Sequence, residues 1–62
     1  MIDKQRINQK IVIIENNISK LKILSKKTED EFFSDFRNIE SAKHLLQVSI
    51  ECMIDICEHR DF

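Results

Sequence analysis

Arg37 and His44 stand seven residues apart, with Asn38 beside the arginine. Seven residues are two helical turns, so both side chains leave a helix along one line. A guanidinium holds a phosphate through paired N–H groups, and an imidazole moves a proton near neutral pH. Together they have the chemistry to bind and cleave a phosphodiester. Glu40 offers a plainer role. It follows Arg37 by three residues and precedes His44 by four, which predicts a solvated run of helix ion pairs worth about 0.2–0.5 kcal/mol each. Glu51 and Asp55 are one turn apart, but two carboxylates need a further ligand set to hold a cation. Neither a Glu-x-x-His pair nor a Cys/His set with zinc spacing supplies one, so no metal and no cofactor are expected.

Cys52 and Cys57 are five apart and do not face each other on a helix, so they are expected as free, half-buried thiols in a reducing cytosol. Phe32, Phe33 and Phe36 are of the type that stacks on bases in RNA-binding proteins, but a small apolar plug closing the end of the fold is expected of them. His59 suits the negative end of a helix dipole, and Met53 is expected as core filler.

These residues need helices to position them. The 62-residue chain has no Gly, Pro, Trp or Tyr, and without Gly, Asn-Gly or Pro turns an all-β fold is disfavoured. Ile7, Ile11, Ile14, Ile18 and Leu21 recur at intervals of four and three, a heptad seam along a helix over about 3–26. Asp3 suits its N-cap, and Lys20, Lys22, Lys26 and Lys27 suit its C-terminal end. Val12 and Ile23 fall on the far side. A turn is expected over about 25–30. Thr28 followed by Glu31 is a capping box that starts a short helix or turn over 29–34. Ser34 and Asp35 mark a break and a fresh cap before a helix over about 36–59. That last helix has a narrow polar face of Arg37, Glu40, His44, Gln47, Glu51, Asp55 and Glu58. The remaining two-thirds of its circumference is apolar or small, more than one partner helix covers.

Net charge is −1, but it is unevenly distributed. Residues 1–27 hold seven basic and two acidic residues, and residues 28–62 hold three and nine. The expected use is mutual neutralisation of two antiparallel helices. A basic face for RNA is the sharper alternative, one that the overall charge does not favour. The longest apolar run is Ile11–Ile14, far short of the roughly 20 residues of a membrane span, so no membrane partner is expected.

The fold expected is all-α: one antiparallel two-helix hairpin over residues 1–62, packing with a second copy into a four-helix-type bundle. A chain this small buries only about 60% of its unfolded surface and commonly relies on a partner. The predicted oligomer interface, dimeric or tetrameric, is Ile7, Ile11, Ile14, Ile18 and Leu21 against Leu46, Ile50, Met53 and Cys57.

The stretch Asp30-Glu31-Phe32-Phe33-Ser34-Asp35, followed by the helix with Ala42, Leu46, Ile50-Glu51, Asp55-Ile56 and His59, resembles the HepT-like branch of the HEPN superfamily. The opening isoleucine helix is similar to that family's first helix. The resemblance spans nearly all of this chain and the first half of the family's domain. It implies a dimerising α-helical bundle, a ribonuclease toxin, and a nucleotidyltransferase antitoxin of the MNT type as partner. The family's catalytic motif is an Arg, a polar residue and a His a few residues later, often followed by x-Tyr, in a later helix at the dimer interface. Arg37, Asn38 and His44 follow that spacing in an earlier helix, with Leu46 in place of the Tyr. The expectation is therefore a truncated chain whose catalytic helix would follow residue 62, serving as a non-catalytic, cytoplasmic oligomerisation scaffold. The alternatives are a small helical protein that binds a partner's helices, and a minimal ribonuclease using Arg37 and His44.

Overall fold

The computed structural model describes residues 3–60, the side chains of His59 and Arg60 excepted. The expectation for His59 therefore lies outside the described residues. Three helices follow one another: α1 (Lys4–Ser25), α2 (Glu29–Phe33) and α3 (Phe36–Arg60), with no strand among the described residues.

Local chemistry sets each start. The Asp3 carboxylate accepts the Arg6 backbone N–H at 3.1 Å and caps α1, satisfying one of the free donors of a helix N-terminus. Lys26 and Lys27 donate back to the carbonyls of Ile23 and Leu24, closing the helix in a tight last turn. The Thr28 hydroxyl accepts the Glu31 N–H at 3.2 Å while the Glu31 carboxylate accepts the Thr28 N–H at 3.3 Å, a complete capping box. Glu29, Asp30 and Glu31 put three acids on the positive end of α2. Asp35 then accepts the Arg37 backbone N–H at 3.0 Å and starts α3.

α1 and α3 lie against each other. Lys10 pairs with Asp55 at 3.0 Å, and Asn17 reaches Ser49 and Leu45, so residue order along one helix runs opposite to that along the other. The Cα trace measures 48 × 14 × 13 Å, the thickness of two helices side by side. Such a layer has almost no interior. Cys52 at 4% exposure is the one buried apolar residue among those described, with Asn17 and Ser49 buried beside it.

The stripe that α1 turns to α3 is Ile7, Lys10, Ile14, Asn17, Leu21 and Leu24. It shares Ile7, Ile14 and Leu21 with the isoleucine seam, but Ile11 and Ile18 stay exposed. The physical reason is close approach. Ser49 and Cys52 are small, and Asn17 fits between the helices by hydrogen bonding to α3. The aromatic plug is likewise smaller than expected. Phe32 is half-buried and meets Phe33 edge-to-face at 5.4 Å, whereas Phe33 and Phe36 are exposed. Cys52 is buried and Cys57 exposed, both free.

Candidate functional site

The three residues with catalytic chemistry are engaged in three different places. The Arg37 guanidinium grips the Asp35 carboxylate, with Nη2 to Oδ2 at 2.9 Å and Nε to both oxygens at 3.1 Å. That contact, with the backbone N–H of Arg37, holds the Asp35 carboxyl below its usual range, and Asp35 in turn raises Arg37. Asn38 points the other way and donates to the carbonyls of Phe32 at 3.2 Å and Glu31 at 3.3 Å, tying α3 to the end of α2. His44 lines a shallow groove of about 370 Å³ with Lys20, Ile23, Leu24, Ser41 and Leu45. Arg37 and His44 are two turns apart, about 10 Å along the helix axis. The expected Glu40 relay between them is not what forms: Glu40 pairs with Lys43 at 3.5 Å, and Arg37 has taken Asp35. Asp35 wins because its oxygens already sit at the helix start, where they also receive backbone N–H.

Among the described residues no group of His, Cys, Asp and Glu is placed to hold a metal ion. Asp55, predicted on a solvated polar face, instead turns to Lys10 across the helix pair, and Glu51 accepts from Gln47 at 3.3 Å.

The larger feature is apolar. Leu46, Ile50, Met53 and Ile54 on α3 are each 46–53% exposed, and Ile11 and Ile18 on α1 are 41% and 43% exposed. At about 100° per residue, Leu46, Ile50, Met53 and Cys57 form one line on α3, clear of the stripe facing α1. Ile11 and Ile18 flank the covered stripe of α1. The groove identifies the opposite side of the layer, because Lys20 and Leu24 of α1 and Ser41 and His44 of α3 line it together. Both isoleucines and the Leu46–Cys57 line fall on the side away from that groove. Exposed apolar residues lie on both sides of the two-helix layer, Ile23 at 63% on the groove side among them, and the face away from the groove is built from most of the residues predicted for an oligomer interface.

Asn17 and Ser49, which hold the layer in register, are absent from any sequence-based site. The available signal was positional. Asn17 lies on the line Ile7, Ile14, Leu21, where a polar residue is conspicuous.

A family model described as Ribonuclease HepT-like matches residues 14–62. Comparison with curated proteins gives no match, and comparison with solved structures gives none either. No helix among the described residues is long and apolar enough to cross a membrane.

Proposed function

We propose a role for this chain from the premise that it belongs to the ribonuclease HepT-like family: its two long helices are the assembly layer of a toxin–antitoxin ribonuclease, and they contribute scaffolding rather than the cleavage chemistry. The observation that carries this is the apolar face bearing Ile11, Ile18, Leu46, Ile50 and Met53. Its α3 line has the four-and-three spacing of a helix that packs into a bundle. An apolar surface this continuous is uncommon on a chain that stays alone.

The chemistry agrees. Arg37, Asn38 and His44 do not converge on a common point, and Arg37 already serves as the partner of Asp35. Two free cysteines fit a reducing cytosol. A nucleotidyltransferase-type antitoxin is the second partner this family reading brings with it.

The test is sedimentation equilibrium of the chain and of Met53→Asp. The unaltered chain is expected at twice its monomer mass or more, and Met53→Asp as a monomer that keeps most of its helical circular dichroism. A monomeric, helical unaltered chain sinks the assembly role. It would turn attention to the other use of the same face, the docking of a different protein's helices, for which exposed Phe33 and Phe36 provide additional apolar contact.

A further inference from the structure

We infer that the groove between α1 and α3 is a binding site for a small amphipathic carboxylate, one anionic head group on a short aliphatic chain. The groove lies on the side of the layer away from the proposed assembly face, so the site stands whether or not that face assembles.

Position comes first. Lys20, Ile23, Leu24, Ser41, His44 and Leu45 line one groove of about 370 Å³, within the span of small-ligand sites, about 300–1,000 Å³. The Asn17–Ser49 contact sets the antiparallel register of the two helices. Counted from it, Lys20 comes level with Leu45 and Leu46, so the ammonium and the His44 ring stand on opposite walls at nearly one height. Leu24 and Leu45 are half-buried and Ile23 is exposed. Apolar lining with a few convergent polar groups is the composition of a small-ligand site.

Charge sets the sign of the head group. From Asn16 to Thr28 the chain carries four lysines and no acid, and from Ser41 to Ile50 it carries Lys43 and His44 and no acid. Glu40, the next acid along α3, is held by Lys43. Among the described residues no carboxylate pairs with Lys20. The groove therefore offers an ammonium without a counter-ion, with a hydroxyl and an imidazole near it. A carboxylate supplies the counter-ion, and its oxygens accept from the hydroxyl and the ring N–H. Its chain covers Ile23, Leu24 and Leu45, and removing that apolar surface from water favours binding.

The number of cations sets the size of the anion. Nucleic acids and anionic bilayers engage several cations at once. Of the described basic residues, Lys20 and His44 line this groove. At about 100° per residue, Lys22 leaves α1 on the far side, and Lys27 lines a separate pocket at the turn. One ammonium matches a head group of one charge.

The test is an NMR titration of the isotope-labelled full chain with sodium octanoate, with octan-1-ol as its uncharged match. Octanoate is expected to shift the amides of Lys20, Ile23, Ser41 and His44 to saturation, with a Kd on the order of 1 mM, the range open to so small a ligand. Octan-1-ol is expected to bind at least about five-fold more weakly, and Lys20→Met to bind octanoate about five-fold more weakly with its helical circular dichroism unchanged. Lys22→Met, on the far side, is expected to bind octanoate as the unaltered chain does. Equal binding of the acid and the alcohol overturns the site, as do shifts confined to Leu46, Ile50 and Met53, or no saturating shift at all. A Lys20→Met chain that keeps full affinity for octanoate overturns it too. Should that variant lose helicity, the contrast between octanoate and octan-1-ol on the unaltered chain decides. A short single-stranded RNA, or phosphatidylglycerol vesicles, shifting the Lys20 and His44 amides where octanoate does not would also overturn it and assign the groove to a polyanion or a membrane.

Discussion

Asn17 of α1 donates its side-chain amide to the hydroxyl of Ser49 of α3 at 3.3 Å, and both residues are buried between the helices. The same amide approaches the Leu45 carbonyl at 3.5 Å, and the Ser49 hydroxyl donates to that carbonyl at 2.7 Å. Ser49 therefore keeps a partner when Asn17 is replaced by an apolar side chain. Asn17→Leu is expected to change stability by less than about 1 kcal/mol, because no buried polar group is orphaned. Asn17→Asp is expected to cost about 2 kcal/mol or more, since it sets a carboxylate in the seam with one hydroxyl to meet it. Urea unfolding of both variants checks this; equal losses would show that the amide does not sit in a closed seam.

The Lys10–Asp55 pair spans the helices at 3.0 Å, with side-chain exposures of 30% and 44%. Water and salt screen a pair this open, so its coupling is expected to be about 0.5 kcal/mol and to shrink as salt rises. A double-mutant cycle with Lys10→Met and Asp55→Asn measures it. A coupling above about 2 kcal/mol at moderate salt would mean the pair is buried in the assembled state.

The start of each helix was legible in the residues because capping is local chemistry. Asp3 and the Thr28–Glu31 box act within one turn of themselves, and each forms the bonds its spacing implies. The seam was only half legible. Ranking positions by hydrophobicity selects Ile11 and Ile18, but α3 meets α1 along a line about 50° away that includes Lys10 and Asn17. What decides between the two lines is the partner side chain: small Ser49 and Cys52 admit Asn17, and Asp55 draws Lys10. Long-range pairs of this kind leave no periodic trace. Arg37 shows the same limit at shorter range. Its seven-residue spacing to His44 was plain, whereas the competition it loses to Asp35 depends on where a helix cap places its oxygens.

Acid is expected to loosen the α2–α3 corner first. The Thr28 hydroxyl and backbone N–H hold the Glu31 carboxyl below its usual range, and Arg37 does the same for Asp35. A carboxyl depressed in the folded state adds stability that is fully present above its unfolded pKa, near 4, and is lost as pH falls through the folded value. The window therefore lies at pH 4 and below, with no change expected from these groups between pH 5 and 8. Side-chain carboxyl titration by NMR, with Glu31→Gln and Asp35→Asn as controls, reads it. Ordinary titration midpoints for both groups would contradict the caps as described.

Ile14 and Met53 separate folding from assembly. Ile14 is half-buried in the stripe facing α3, whereas Met53 is 46% exposed on the apolar face. A charge at Ile14 is expected to abolish helicity and assembly together, because a small domain has only a few kcal/mol to lose. Met53→Asp is expected to remove assembly and leave most of the helical signal. Ile14→Asp retaining both helicity and mass would show that this layer does not depend on the seam.

Cleavage chemistry offers the last discrimination. A ribonuclease that used Arg37 and His44 would need both groups on one phosphodiester, with the arginine free to bind it. Here Arg37 is committed to Asp35 by three side-chain hydrogen bonds, and His44 faces a groove beside Lys20 and Ser41 two turns further on. Releasing the arginine should therefore be the step that matters. Asp35→Asn frees the guanidinium while its side-chain oxygen can still cap α3, so an active site built on Arg37 would gain RNA cleavage and then lose it in Asp35→Asn combined with His44→Ala. For a scaffold, neither variant is expected to change cleavage of labelled single-stranded RNA from background. Arg37→Ala is expected to act only on helicity, through the loss of its contact with the cap. Cleavage above background that vanishes with His44→Ala would assign the chemistry to this chain after all, because no other described His or Arg side chain shares a helix line with His44.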